Sequence, residues 1–145
     1  MISLTIKDTK TFMNHLLKEA TFDAFSFRTG ALDHFCQFDI TAPRGTEKVS
    51  WETMKPYVLH LIKGKTAPRS IKVILTVGEA ERLTLDPDGE FFLNIYFENG
   101  QINLTTGTST KIFTLDKTMD GLWEDYVRGF LDKHGLGYSE NYEED

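Results

Sequence analysis

The stretch FFLNIYFENGQINLTTGTSTKIF, residues 91–113, decides the fold because it contains the clearest pair of strands in the chain. Apolar and polar side chains alternate up to Glu98, and they alternate again after Gly100. An alternation of period two is typical of a strand with one buried face. The Asn99-Gly100 pair between the two runs predicts a two-residue type I′ turn, in which both residues need a positive φ.

A two-residue turn also fixes the register of the hairpin, and therefore which side chains share a face. The side predicted to face the core pairs Phe97 with Ile102, Ile95 with Leu104, and Leu93 with Thr106. The opposite side pairs Tyr96 with Asn103, and Asn94 with Thr105. This opposite side is unusual because amides, hydroxyls and an aromatic ring replace the Lys and Glu common on wet sheet faces.

Three other segments have the apolar spacing of amphipathic helices. The first follows a cap at Asp8 or Thr9. For the second we expect a turn through residues 51–54 and a regular helix from Pro56, because proline inside a helix costs about 3 kcal/mol. The third ends at Gly135, which suits a left-handed stop.

Strands are predicted at residues 2–6 and 70–77, in the two runs FDAFSFRTG and FCQFDIT around Gly30, in the hairpin, and in TKIFTL after a turn at TGTS. Consecutive strands with hairpin links favour an antiparallel arrangement. The sequence therefore predicts an α+β fold, with a mainly antiparallel twisted sheet of about six to seven strands and three helices packed mostly on one face.

The charge distribution limits the classes of partner. The net charge is −6, and four negative charges lie in the last six residues, ENYEED, so the rest of the chain carries −2. A body that is not basic argues against nucleic acid as a partner. We expect one domain over residues 1–138 and an acidic C-terminal tail over residues 139–145. No signal peptide and no long apolar run is evident, so we expect a cytoplasmic protein without a membrane partner.

The polar side of the hairpin is the first candidate binding surface, and its residues are Phe92, Asn94, Tyr96, Asn103 and Thr105. Amides and aromatic rings supply hydrogen bonds and contact area at low entropic cost. No pair of carboxylates and no Ser, His and Asp grouping stands out in the sequence. We therefore expect a non-enzymatic binding or protein-interaction domain, with a homodimer or another protein as partner.

The alternative function is an enzyme or sensor for a small anionic, phosphorylated ligand. Its candidate residues come from the basic segment 63–72 and from the segment TTGTSTK: Lys63, Lys65, Arg69, Lys72, Thr108 and Lys111. A turn rich in hydroxyls can hold an anion through its backbone amides, although TTGTSTK lacks the spacing of a phosphate-binding P-loop. The alternative requires the two segments to lie near each other.

No metal ligand, cofactor or catalytic residue is predicted. The histidines His15, His34, His60 and His134 lack the spacing of metal ligands. DPDGE, residues 86–90, predicts a turn rather than a calcium loop. Cys36 is the single cysteine, so no internal disulfide can form, and its apolar neighbours predict a small buried side chain.

Two long segments, SWETMKPYVLHLIKGKTAPRSIKVILTV and FFLNIYFENGQINLTTGTSTKIFTLDKTMDGLWEDYVRGFL, together with TFDAF, resemble a family of unknown function. Its members are uncharacterised proteins of similar length from Gram-positive gut anaerobes, and the resemblance covers nearly the whole chain. The resemblance implies a single-domain intracellular bacterial protein. It implies no reaction, cofactor or catalytic residue.

Overall fold

One antiparallel sheet organises the computed structural model, which describes residues 1–43, 48–86, 89–110 and 117–142. The strands in these ranges are β1 Ser3–Ile6, β2 Ser26–Asp33, β3 Gln37–Thr41, β4 Val49–Ser50, β5 Ser70–Thr76, β6 Gly89–Glu98, β7 Gln101–Thr110 and β8 Tyr138–Asn141. The helices are α1 Thr9–Leu17, α2 Trp51–Ile62, α3 Glu79–Leu85 and α4 Thr118–Lys133. The strand order is β3-β2-β5-β6-β7-β1-β8, and β4 extends the edge by pairing with β2.

The predicted α+β class and antiparallel sheet are confirmed, with four helices in the described residues rather than three. Strands contribute alternate residues to one apolar layer, which the helices cover. The fully buried large side chains of this core are Trp51, Trp123, Phe12, Phe22, Phe27, Phe91, Leu4, Leu16, Leu75, Leu93, Ile95 and Ile102. None of the described helices is both long and apolar enough to span a membrane.

The hairpin of β6 and β7 has the predicted turn and register. Asn99 and Gly100 have φ values of 54° and 74°, as a type I′ turn requires. The observed pairs include Phe97 with Ile102, Ile95 with Leu104, Leu93 with Thr106, Tyr96 with Asn103, and Asn94 with Thr105. Leu93, Ile95 and Leu104 are buried, so the predicted inward face is confirmed.

The first helix begins as the sequence predicts. Asp8 is its N-cap, and its Oδ1 accepts a hydrogen bond of 3.1 Å from the backbone N–H of Thr11. This hydrogen bond holds the pKa of Asp8 below its ordinary value, since it stabilises the charged carboxylate.

The second helix corrects the prediction around proline. α2 runs without a break from Trp51 to Ile62, and Pro56 lies inside it. Tertiary anchors outweigh the lost hydrogen bond, because Trp51 and Val58 are both buried on the same helix. The Nε1–H of Trp51 also donates to the carbonyl of Leu16 at 2.7 Å.

Two predicted strand boundaries are wrong. The strand predicted to start at Phe22 starts at Ser26, because Phe22 and Phe25 lie in a turn that buries their rings against Phe130. Gly30 lies inside β2, and the chain reverses at residues 34–36 instead.

The predicted turn at TGTS is also wrong, since β7 continues through Gly107 to Thr110. The predicted strand TKIFTL begins at Thr110, the last residue of β7, and its other five residues lie within 111–116, outside the described residues. Residues 87–88 of the predicted DPDGE turn also lie outside the described residues.

Three elements have no counterpart among the predictions, and the shortest of them is the two-residue strand β4. α3 has no buried residue, so its sequence carries no apolar stripe that would reveal it. β8 contains Ser139, Glu140 and Asn141, the first three residues of the predicted acidic tail. These three residues therefore pair with β1 in the sheet.

Candidate functional site

The side of the sheet opposite the helices forms an open surface, here called the polar sheet face. Alternation along the strands places on this surface all five residues of the predicted hairpin surface, which are Phe92, Asn94, Tyr96, Asn103 and Thr105. All five are at least partly exposed, and Tyr96 is 37 % exposed. The structure therefore brings the first candidate set together on one surface.

Cross-strand hydrogen bonds hold the polar side chains in place. Asn94 Nδ2 donates to Thr105 Oγ1 at 3.1 Å within the hairpin. Thr5 Oγ1 donates to Asn103 Oδ1 at 2.8 Å, which joins β1 to β7. These bonds orient the amide groups before any partner arrives, so binding would cost little additional side-chain entropy.

The polar sheet face extends beyond the hairpin onto β1 and β8. Asn141 Nδ2 donates to Thr5 Oγ1 at 2.9 Å and to Ser3 Oγ at 3.3 Å. The sequence did not predict this extension, which adds Ser3, Thr5, Ser139 and Asn141. In β8, the partly buried residues Tyr138 and Glu140 alternate with the exposed residues Ser139 and Asn141. This alternation indicates a strand, although the acidic residues that follow make it hard to recognise in the sequence.

An ion pair between α4 and β8 holds β8 in place from the helix side of the sheet. Arg128 of α4 donates from Nε to Glu140 Oε1, and from Nη2 to Glu140 Oε2 at 3.4 Å. The hydrogen bonds from Arg128 hold the pKa of Glu140 below its ordinary value of 4.5, and Glu140 raises the pKa of Arg128. The first acidic residue of the predicted tail therefore stabilises the edge of the sheet.

An apolar centre lies within the polar sheet face. Ile74 of β5 faces Asn94, and Phe92 lies one row away beside Gly107. Both apolar side chains are partly exposed. Neutral amides and hydroxyls on β6, β7 and β1 lie on one side of this centre, whereas Lys72 and Glu90 lie two residues from Ile74 and Phe92 along β5 and β6.

A concavity of about 350 Å³ opens on the same face where β3, β2, β5 and β6 meet. Its floor is low because Ala31 and Ser70 have small side chains. Its walls and rim carry Gln37 and Asp39 on one side, Tyr96 and Glu98 on the other, with Asp33 and Lys72 between. The sequence analysis missed the concavity because it depends on a strand order that the sequence does not reveal.

Lys72 has an unusual environment within the concavity. Its Nζ lies 5.4 Å from the centroid of the Tyr96 ring, in a cation–π contact. Asp33 is paired with Arg69, whose Nη2 lies 3.0 Å from Asp33 Oδ1. Among the described residues, neither Lys72 nor the carboxylates Asp39 and Glu98 form an ion pair.

The alternative anion-binding set is not brought together. Lys72 lies opposite Tyr96, whereas Thr108 lies opposite Phe91. Five residues of β6 separate these positions, about 17 Å at 3.4 Å per residue. Thr108 also points to the helix side, where its hydroxyl donates to Asp120 of α4.

The remaining members of that set are dispersed. Lys63 and Lys65 are exposed after the end of α2, and Arg69 is engaged with Asp33. Lys111 lies outside the described residues. The described part of the chain therefore forms no cluster in which the basic segment and the hydroxyl-rich segment meet.

The histidines have structural contacts. His15 Nδ1 lies 2.7 Å from Thr21 Oγ1, and the two ring nitrogens of His34 lie 3.1 and 2.9 Å from the carbonyl oxygens of Leu61 and Thr66. No group of three or more His, Cys, Asp or Glu within the described ranges is placed to hold a metal ion.

The cysteine corrects the sequence analysis. Cys36 is exposed at the reversal between β2 and β3, rather than buried in a strand. Phe38 and Ile40, which follow it, supply the apolar side of β3 instead.

Comparison with known protein families shows which family the chain belongs to. Residues 15–139 match the model of DUF5721, described as a family of unknown function. The chain belongs to this family. The match confirms the resemblance to a family of unknown function, whereas an origin in Gram-positive gut anaerobes stays a prediction. No curated protein and no solved structure matches the chain.

Proposed function

We propose that this member of the DUF5721 family is a non-enzymatic interaction domain that forms a homodimer through the polar sheet face. The observation that carries the proposal is the layout of that face, with an apolar centre, neutral polar side chains on β6, β7 and β1, and charged side chains such as Glu98 and Glu90 toward the two ends of β6. Interface cores are depleted of charged residues and enriched in aromatic ones, and their rims are polar. Ile74, Phe92 and Tyr96 supply the apolar and aromatic part of such a core.

A second copy of the chain suits this face better than a charged partner. Two copies related by a two-fold axis present the same patch to each other. Since the centre of the patch is neutral, this arrangement places no like charges in contact there. Toward the flank beside Tyr96, the positive charges of Lys72 and Arg69 offset part of the negative charge of Asp33, Asp39 and Glu98.

The size of the face is sufficient for a stable dimer. Six spacings of about 4.8 Å between seven strands give a width of about 29 Å. The ten residues of β6 extend about 31 Å along the strand. Such a face is comparable with the roughly 800 Å² that each partner contributes to a standard interface.

Light scattering after size exclusion, over a range of micromolar concentrations, tests the proposal. We expect the mass of a dimer for the unchanged chain. Tyr96→Asp should shift the mass toward the monomer, because two like charges would then meet across the interface, which costs several-fold to a hundred-fold in affinity.

Tyr57→Asp is the matched control, since Tyr57 is 64 % exposed on α2, away from the polar sheet face. This variant should remain a dimer. A monomer at every concentration, or equal dissociation of the two variants, would overturn the proposal.

A further inference from the structure

The concavity beside Tyr96 has the size and composition of a small-molecule site. Its volume of about 350 Å³ lies within the range of about 300–1,000 Å³ that ligand pockets occupy. Ala31 provides an apolar floor, and the Tyr96 ring provides an aromatic wall. Polar and charged groups lie around the rim, where they can fix the orientation of a bound molecule.

Side chains of opposite charge line this concavity without forming ion pairs with one another. Three carboxylates and one ammonium group contribute to its surface, yet Lys72 contacts the Tyr96 ring rather than a carboxylate. Arg69 neutralises Asp33. Among the described residues, this leaves the charges of Lys72, Asp39 and Glu98 without an ion-pair partner.

The separation of these charges determines which charged groups a bound molecule must carry. A simple anion would contact Lys72 but approach the unpaired carboxylates, whereas a simple cation would contact Asp39 or Glu98 but approach Lys72. A molecule with both charges satisfies both sides of the concavity. Charge-assisted hydrogen bonds of this kind are about twice as strong as neutral ones.

We infer that the concavity binds a small zwitterion with a primary ammonium group and a carboxylate, the chemical class of a free amino acid. Lys72 receives the carboxylate, one of the two carboxylates Asp39 and Glu98 on opposite sides of the concavity receives the ammonium group, and the Tyr96 ring contacts the apolar part. The concavity shares Tyr96 with the proposed dimer interface, so a bound zwitterion and a second copy of the chain compete for that ring, and the titration is made at a concentration at which the chain is monomeric.

Isothermal titration of the full chain with each free amino acid tests the inference. The amino acid that binds most tightly is then compared with its decarboxylated amine and with its deaminated acid. We expect each analogue to bind at least about tenfold more weakly, because each loses one charged hydrogen-bonding partner. Binding of none of the amino acids, or equal binding of either analogue, would overturn the inference.

Charge-removing variants locate the site. In Lys72→Met the preference for the zwitterion over the amine should disappear, and in Asp39→Asn combined with Glu98→Gln the preference over the acid should disappear. Each preference is a ratio measured on one protein sample, so a partly unfolded sample does not alter it. Lys63→Met and Glu52→Gln, both at exposed positions of the α2 region, are the controls and should bind as the unchanged chain does. A loss in the controls equal to that in the variants would place the binding elsewhere and refute the inference.

Discussion

The two faces of the sheet are built by the same strands and differ in what holds them together. On the helix side, Leu93, Ile95 and Leu104 are at most 2 % exposed, and shape and apolar burial stabilise the packing. On the polar sheet face, Asn94 and Asn103 are partly exposed, and hydrogen bonds between neighbouring strands organise them. The comparison shows that side-chain order on an open face does not require burial.

The difference also separates stability from recognition. A buried leucine cannot be exchanged without a cavity, whereas an amide on the open face can be exchanged with little loss of folding energy. The sequence of the open face can therefore change with little effect on stability. The experiments below test this division, from the largest expected effect to the smallest.

Truncation of adjacent residues on the two faces should give the largest contrast. Leu104→Ala leaves a cavity in the core and should lower the free energy of unfolding by about 2–5 kcal/mol. Thr105→Ala, one residue further on the open face, should lower it by no more than about 1 kcal/mol. Urea denaturation followed by tryptophan fluorescence measures both values. Similar losses in the two variants would mean that the faces are not packed differently.

Removal of one hydrogen bond on each face sharpens the contrast. Trp51→Phe removes the donor that reaches the carbonyl of Leu16 in the core, and should cost about 1–3 kcal/mol because water cannot replace it there. Asn94→Ala removes the donor to Thr105 on the open face, where water can replace it, and should cost less than about 1 kcal/mol. Urea denaturation measures the loss of unfolding free energy in both variants. A larger loss for Asn94→Ala would contradict the proposed difference between the two faces.

The turn at Asn99 and Gly100 determines which side chains lie on each face of the sheet. Its effect on stability should depend on backbone conformation alone. Gly100 has a φ of 74°, and an added methyl group would meet no described atom within 4 Å. Gly100→Ala should therefore destabilise the chain by about 1–2 kcal/mol through its left-handed backbone. Gly129→Ala, at an equally open position inside α4, should instead stabilise it by about 0.5–1 kcal/mol. Thermal unfolding should show shifts of opposite sign, and shifts of the same sign would contradict this reasoning.

The ion pair at the β8 edge should give the smallest effect, and one that depends on pH. The pKa of Glu140 is lowered in the folded chain, so its contribution to stability is present above about pH 4.5 and is lost as the pH falls through the folded-state pKa. Glu140→Gln should be less stable than the unchanged chain at neutral pH, and the difference should shrink as the pH falls below about 4.5. A difference that persists unchanged at the lower pH would show that Arg128 does not cause it.

Local signals account for the parts of the fold that the sequence predicted. The hairpin was predictable because the alternation of β6 and β7 and the backbone needs of Asn99 and Gly100 act within a few residues. Asp8 was predictable as a cap for the same reason. Pro56 was misleading, because burial of Trp51 and Val58 decides where α2 begins, and that burial involves partners distant in sequence.

The candidate site also has one part that local sequence signals predict and one part that they do not. The five hairpin residues were predictable as an outward surface, because their orientation follows from the register of one turn. The concavity was not, since Asp39, Ala31, Lys72 and Tyr96 become neighbours only through the order β3-β2-β5-β6. Similarly, Asn141 joins the polar sheet face through a contact with Thr5, 136 residues earlier.

The position of β1 has a consequence for synthesis of the chain. Both neighbours of β1 lie far along the sequence, since the backbone N–H of Ile2 donates to Thr106, 104 residues later, and β8 follows later still. At about 5–20 residues translated per second, β1 waits on the order of ten seconds for its first neighbouring strand to emerge from the ribosome. During that interval Leu4 and Ile6, which the finished sheet buries, have no native strand to pack beside and form a short apolar segment open to chaperones.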